Sequence, residues 1–439
     1  PRVSVGGTGM SAASNRLAID GGQPVRAEPL PPMYPGGMLI GENEIAVVLD
    51  VLRARRLFRY FGPDADRPSA VAEFERRFAA DRGAEFAVAC SSGSGALHVA
   101  LMAAGVGPGD EVIVPGYSYI ATAASVVMAG AVPVIAEVDD SLTLDPEDFA
   151  RKISPLTAAV MPVHMRGAPC AMDRVLEIAA ANEIAVIEDV AQANGATYHG
   201  RQCGTLGTIG AFSLQFNKII TTGEGGVVVT HDRETCLRSV SAHDASMIWQ
   251  RDLPGVAARF PGSNYRMSEL VGALALAQLG RHEPILEAMR VGKRRIKDAI
   301  AAAVARRGMS FRRLNDSDGD TAVALMLFSP TAADARRFAA ALNAERVAAG
   351  TIYDQGVPDR HIYRHWDAIM QKKGHAAGRT VWSPQVYSGD VEYAPDMCPR
   401  TLDYLARTIQ LDVSPSLTER DQEDVINAVL KVAAGLPAP

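Results

Sequence analysis

The chain has 439 residues, with 50 acidic against 44 basic side chains, a net charge of −6, 48% hydrophobic and 21% charged residues. A chain of that length buries a large core without staples and suits about two or three domains, or one large α/β domain with an appendage. Mild acidity argues against a nucleic-acid module, which carries a basic face or stripe.

Five scattered cysteines (Cys90, Cys170, Cys203, Cys236 and Cys398) show no metal or redox spacing. They read as reduced, buried thiols of a cytosolic protein. No charged segment followed by an apolar run opens the sequence, so no secretory leader is expected. The most apolar stretch, Tyr117 to Ala136, is divided by Gly130 and Pro133 and followed by acidic residues, which predicts a buried helix and strand rather than a membrane span.

In chain order, residues 1–25 are rich in Gly, Ser and small side chains and are expected to form a loose, flexible arm. Glu42 to Arg56 places Ile45, Val48, Leu49 and Leu52 at helical spacing. Short apolar strands are then expected at Phe86–Cys90, Glu111–Pro115, Val132–Ile135, Ala158–Val163, Ala185–Asp189 and Val227–Thr230. Helical segments lie between them at Ala96–Ala104, Tyr119–Ala129 and Met172–Asn182. Strands alternating with helices imply crossover connections and a mainly parallel sheet covered on both faces. A long helix from Met267 to Arg281 resumes after Pro284 and runs to Arg306. Beyond it, a strand at Ala322–Leu327, a helix at Ala332–Glu345 and a strand at Val347–Tyr353 suggest a smaller α/β domain.

Four segments carry chemistry. Ser91-Ser-Gly-Ser-Gly95 turns from a strand into a helix, where backbone N–H groups and a positive helix end suit an anion, although Gly and Ser also make ordinary turns. Glu188-Asp189 ends a parallel strand, the edge at which open α/β sheets bind ligands; a metal ligand, a base, a partner for a cationic ring nitrogen and a helix cap all fit. Lys218 stands among Phe216, Ile219 and Ile220, either as a snorkelling surface side chain or as a desolvated amine able to attack a carbonyl. Phe260 to Glu269 leads into the long helix, with Ser263 or Asn264 as a candidate cap.

Taken together these segments resemble the sugar and aminocyclitol aminotransferases of the DegT/DnrJ/StrS family, from about Met38 to the C-terminus. The resemblance rests on Pro115-Gly-Tyr-Ser-Tyr-Ile-Ala-Thr122, Gly130-Ala-Val-Pro-Val134, Pro162-Val-His164 with Gly167, Glu188-Asp-Val-Ala-Gln-Ala193, the Lys218–Gly226 segment and Asn264-Tyr-Arg-Met267. It implies a fold-type I, aspartate aminotransferase-like α/β transferase. A large, mainly parallel seven-stranded sheet domain over residues 26–280 would bind pyridoxal 5'-phosphate, and a small C-terminal domain over 281–439 would close on it.

By the same resemblance, Lys218 would bind the cofactor covalently and then serve as base and acid in the 1,3-proton shift. Asp189 would pair with the protonated ring nitrogen, Gln192 with the 3-oxygen, and Tyr119 would stack on the ring. Gly93, Ser94, Gly95 and Ser213 would hold the phosphate. Asn264 would reach the phosphate of a neighbouring subunit, making a homodimer with shared sites. His164 and Arg266 would lie near cofactor or substrate. The cofactor would alternate with pyridoxamine 5'-phosphate as L-glutamate or L-glutamine gives its amine to a keto-sugar or keto-cyclitol. No nucleic-acid or membrane partner is implied, and the setting would be cytoplasmic secondary metabolism such as antibiotic biosynthesis.

Leu57-Phe-Arg-Tyr-Phe-Gly62 and Asp359 to Trp366 also resemble family members, and their Arg, His and aromatic residues suit substrates with several hydroxyls. Departures are Ser94 in place of the usual threonine, Asn194 in place of His or Ser, and Arg166 where a tyrosine or apolar residue is frequent. Arg166 reads more readily as a loop cation at the surface than as a contact to an anionic substrate. Lys218 excludes the dehydratase branch, which has histidine there. The same Lys and Asp would also serve a pyridoxal-phosphate enzyme of elimination, decarboxylation or oxidation. A nucleotide-binding module fits less well, because Ser91–Gly95 lacks a Gly-x-Gly-x-x-Gly fingerprint.

Overall fold

The structure is a computed structural model that describes residues 16–60, 68–245, 258–353, 358–376 and 378–437. Its strands are β1 (Phe86–Cys90), β2 (Glu111–Pro115), β3 (Val132–Ala136), β4 (Thr157–Val160), β5 (Ala185–Asp189), β6 (Thr197–Tyr198), β7 (Arg201–Gln202), β8 (Ile209–Ser213), β9 (Gly226–Thr230), β10 (Ser310–Phe311), β11 (Ala324–Phe328), β12 (Gly350–Thr351) and β13 (Thr408–Asp412).

Seven of them form one sheet in the order β1-β9-β8-β5-β4-β2-β3. β9 runs antiparallel to both its neighbours, and the remaining pairs are parallel. Both faces are covered: along β9, Val227 and Val229 enter one core and Val228 the other. That is why the strands read as unbroken apolar runs with no alternation. The expected mainly parallel sheet is thus present, with β8 and the helices Ala70–Arg82 and Arg233–His243 as additional elements.

A second, antiparallel sheet has the order β10-β11-β13-β12 and is packed by the helix Ala332–Ala344, against which the helix Glu419–Gly435 lies. The long helix before it is two helices, Glu269–Leu279 and His282–Arg306. The second starts ahead of Pro284, which sits in the first turn, where a missing N–H costs nothing. The strand expected over Val347–Tyr353 pairs only at Gly350–Thr351, and the one expected over Ala158–Val163 stops at Val160.

The loose arm expected over residues 1–25 needs correction for its second part; residues 1–15 lie outside the described residues. Leu17 is buried, and the backbone N–H groups of Ala18 and Val25 each donate to the Glu345 carboxylate at 2.9 Å. Glu345 is wholly buried and also accepts from Lys431 Nζ, so this segment is fastened to the small sheet's helices. The helix Glu42–Ala54 buries Glu44 and Val51, whereas Ile45, Leu49 and Leu52 are exposed. Its apolar stripe therefore faces outward. Among the described residues no helix is long and apolar enough to cross a membrane.

Candidate active site

Register brings the chemical groups to one edge of the large sheet. Cys90 at the end of β1 and Ser213 at the end of β8 both pair with Gly226, the first residue of antiparallel β9. Asp189 closes parallel β5 beside them. A cavity of about 560 Å³ opens there, lined among others by Gly93, Ser94, Tyr119, Asp189, Gln192, Ser213 and Lys218.

Ser92 caps the helix Gly93–Ala104 by accepting from Gly95 N–H at 3.0 Å, which leaves the first-turn N–H groups directed at the cavity. Gly93 is needed for closeness: a Cβ there would stand 2.6 Å from Ser213 Cβ and 2.7 Å from its Oγ. The Ser213 hydroxyl thereby joins the helix end in one anion cradle. Gly95 itself is buried and packs on Tyr265 rather than lining the cavity.

Asp189 is buried, with Oδ2 accepting from Thr122 Oγ1 at 2.8 Å and Oδ1 from Ala191 N–H at 3.0 Å. Burial raises its pKa, while these two donors and the Lys218 charge act in the opposite direction. Lys218 lies on the loop between β8 and β9, with Ile219 and Ile220 buried beside it. Desolvation pulls its amine down to about 8, Asp189 and Glu224 oppose this, and Arg166 adds to it. Of the two readings of this lysine, its place in the cavity lining and the downward shift favour the desolvated amine. Tyr119 is half exposed at the mouth, its ring centroid 5.3 Å from that of His361.

Three expected residues stand elsewhere. His164 is fully buried behind β5, its Nε2 3.0 Å from Glu188 Oε2 and its Nδ1 accepting from Cys170 N–H at 3.1 Å. It does not line the cavity, so the expected substrate contact is corrected to a structural one. Ligand atoms of His164, Glu188 and Cys203 lie within 4.8 Å of one another. Hydrogen bonds nevertheless account for both Glu188 oxygens, which accept from Gly204, Leu206 and Gly207 N–H at 2.7 Å.

Arg266 is turned away as well, paired with Asp244 at 2.8 Å, and Asn264 is exposed outside the cavity of its own chain. Their loop braces the cradle from behind: Ser91 N–H donates to Tyr265 O at 2.7 Å. Of Leu57–Gly62, Phe61 and Gly62 lie outside the described residues, and Arg59 is buried on Glu75 at 2.6 Å. From Asp359–Trp366 only His361 lines the cavity, while Tyr363 and Trp366 are core residues.

Sequence reasoning missed Ser118, Thr122, Glu224 and Asp412 in the lining, and misjudged Arg166, which lines the cavity instead of standing free on a loop. Thr122 sits buried in the first turn of the helix Ala121–Met128 and gave no signal beyond its place in a matching segment. Asp412 comes from β13 in the other sheet, and no local pattern joins it to Lys218.

A family model, the DegT/DnrJ/EryC1/StrS aminotransferase family, matches residues 39–377. The chain belongs to the DegT/DnrJ/EryC1/StrS aminotransferase family. It is 45% identical over 221 residues to a GDP-perosamine synthase of Caulobacter vibrioides, covering 50% of this chain and 58% of that one. It is 42% identical over 278 residues to an L-glutamine:2-deoxy-scyllo-inosose aminotransferase of Micromonospora echinospora, covering 60% and 63% respectively. Each match spans less than two thirds of the relative. Among solved structures, 3-amino-5-hydroxybenzoic acid synthase superposes with a TM-score of 0.76 at 25% identity, covering 93% of this chain and 99% of that one.

Pyridoxal phosphate is the cofactor of this family of aminotransferases, and the residues present fit it. The helix end with Ser94 and Ser213 suits its phosphate, buried Asp189 suits a cationic ring nitrogen, and Lys218 suits its aldehyde. Asn194 adds to the fit: it is buried in the cavity wall, and neither side-chain polar atom has a hydrogen-bond partner among the described residues.

Proposed function

We propose that this chain is a pyridoxal-phosphate-dependent aminotransferase that moves the amine of L-glutamine or L-glutamate onto the ketone of a sugar or cyclitol. It works as a cytoplasmic homodimer in amino-sugar or aminocyclitol biosynthesis, including that of antibiotics. The observation that carries this reading is a lysine amine held near neutrality in the same cavity as a buried, hydrogen-bonded carboxylate and an anion cradle.

The cofactor, when bound, supplies an electron sink for the electrons released as the C–H bond beside the amine breaks. The neutral Lys218 Nζ takes that proton and returns it on the other side of the exchange, a task suited to a pKa near 8. Thr122 and Ala191 fix the Asp189 carboxylate, whose charge would hold a proton on the ring nitrogen. Gly93, Ser94 and Ser213 would hold the phosphate and so limit the cofactor's freedom in the cavity that Lys218 lines. In the first half the donor takes its new carbonyl oxygen from water and leaves as its keto acid; in the second the acceptor's carbonyl oxygen is replaced by the amine and lost as water.

The dimer is supported by the outward apolar stripe of Ile45, Leu49 and Leu52, with exposed Leu57 close behind, since a folded single chain leaves such surface costly. Five buried free cysteines fit a reducing compartment.

Borohydride reduction of the yellow holoenzyme, followed by peptide mapping, tests the assignment. The cofactor should be fixed at Lys218, and labelling at another lysine would refute it. Appearance of the donor's keto acid with the aminated acceptor separates transfer from elimination, decarboxylation or oxidation.

A further inference from the structure

Amine transfer as described gives Arg166 no task, yet the fold fixes it from several sides. Its φ of +50° and ψ of 43° lie in the left-handed region, which a long side chain rarely adopts. Arg166 N–H donates to Gln192 Oε1 at 3.4 Å. On its two sides, Arg312 Nη2 donates to Met165 O at 3.1 Å and Thr321 N–H donates to Gly167 O at 3.0 Å. Arg312 and Thr321 belong to the chain around the small sheet, so that sheet clamps the turn. A backbone conformation over-determined in this way is characteristic of a functional position.

The guanidinium lines both the main cavity and an adjoining hollow of about 310 Å³, whose walls include Asn343, Thr351, Asp359, Gln410 and Asp412. Its Nε is buried with no hydrogen-bond partner among the described residues, while Tyr117, Asp359 and Asp412 act on it electrostatically. It is also close enough to Lys218 to influence that amine. Among the described residues no carboxylate pairs directly with Arg166, Asp359 and Asp412 acting on it only at longer range, and planar guanidinium recognises carboxylate. In an amino acid the carboxylate is attached to the carbon that bears the amine. An anchor for it must therefore share the cavity with the amine-handling lysine, as Arg166 does. Beyond the anchor, Asn343 is occupied by the Ala349 backbone, while the Asp359 and Asp412 carboxylates and the Gln410 amide offer hydrogen bonds to a neutral amide, and the two carboxylates repel a second negative charge.

We propose that Arg166 binds the α-carboxylate of the amino donor, and that the hollow bounded by Asp359, Gln410 and Asp412 receives a neutral amide side chain and disfavours a carboxylate one. Glutamine is then the preferred donor over glutamate. The identity of the ligand as an amino donor rests on the transfer reading above; the binding claim is tested without turnover.

Glutaramate, with one carboxylate and one amide, and glutarate, with two carboxylates, carry no amine and are titrated calorimetrically into the holoenzyme. Glutaramate should bind roughly tenfold or more tightly than glutarate. Arg166→Asn, a residue that tolerates the left-handed region, should weaken glutaramate roughly 10- to 100-fold with the cofactor spectrum unchanged. Arg166→Lys should recover part of the affinity, and it decides the matter should the Asn variant fail to hold cofactor. Asp412→Asn should bring glutarate toward glutaramate. Unchanged glutaramate affinity in both Arg166 variants would overturn the anchor, and equal affinities in the parent enzyme would overturn the discrimination. A holoenzyme that binds glutaramate through Arg166 but releases no keto acid from any amino acid would support the anchor and refute the transfer reading.

Discussion

Lys218 and Asp189 show how placement changes what a residue is. An ordinary lysine is almost wholly protonated at neutral pH, whereas burial brings Lys218 to about 8 from 10.5. Capture of pyridoxal phosphate by the apo-protein, followed by absorbance, should therefore rise with pH through an inflection near 8; an inflection near 10.5 would mean a solvated amine. The same shift acts on stability with a definite sign. Between about 8 and 10.5 the unfolded chain binds more protons at this position than the folded one, so the Lys218 contribution becomes more favourable as pH rises through that window. Replacing Asp189 by Ala should leave covalent attachment of the cofactor possible while slowing loss of the donor's α-hydrogen roughly a hundredfold or more, the usual scale for removing a preorganised charge. Solvent deuterium incorporation into the donor measures it, and a parent-like rate would refute the electrostatic role.

At the scale of elements, the site depends on two pieces approaching more closely than side chains normally permit. The end of β8 reaches the first turn of the helix Gly93–Ala104 because Gly93 has no Cβ. Gly93→Ala should push Ser213 away and weaken cofactor phosphate binding by about tenfold or more, seen as faster cofactor loss on dialysis, with the helix itself intact. β strands were legible because double-sided burial writes them as runs of Val, Ile and Ala, and three of them, β1, β2 and β5, have the expected bounds. β13 and the helix Glu419–Gly435 carried mixed patterns over the less apolar second half and went unread. The Glu42–Ala54 helix was legible as a helix, but periodicity gives a face and not its neighbour, and here the apolar face looks outward.

For the whole molecule, the cavity gathers residues from both sheets, with Asp412 of β13 and Val323 before β11 joining Lys218 and Asp189 in its lining. Relative movement of the two sheets would change the site's walls, and the clamp on Arg166 ties that residue to the same junction. Asn264 lies outside its own chain's cavity, and we propose that it serves the partner's. Mixing the inactive variants Lys218→Ala and Asn264→Ala should then restore partial activity in hybrid dimers, because one of the two sites regains a full set. No recovery after verified subunit exchange would place Asn264 in a purely local role.

The sequence by itself determined the parallel α/β architecture and the order in which cradle, carboxylate and lysine arrive at strand ends. Those features are local: apolar runs make strands, glycine and serine open helices, and strand ends share one edge. Only the tertiary structure decided what each polar side chain faces. His164 and Arg166 are two residues apart, yet one turns into a hydrogen-bonded core and the other into the cavity, because the left-handed conformation of Arg166 is held on either side by Arg312 and Thr321, from the chain around the second sheet. Desolvation of Lys218 is likewise a sum over neighbours distant in the chain, and no spacing of residues encodes it.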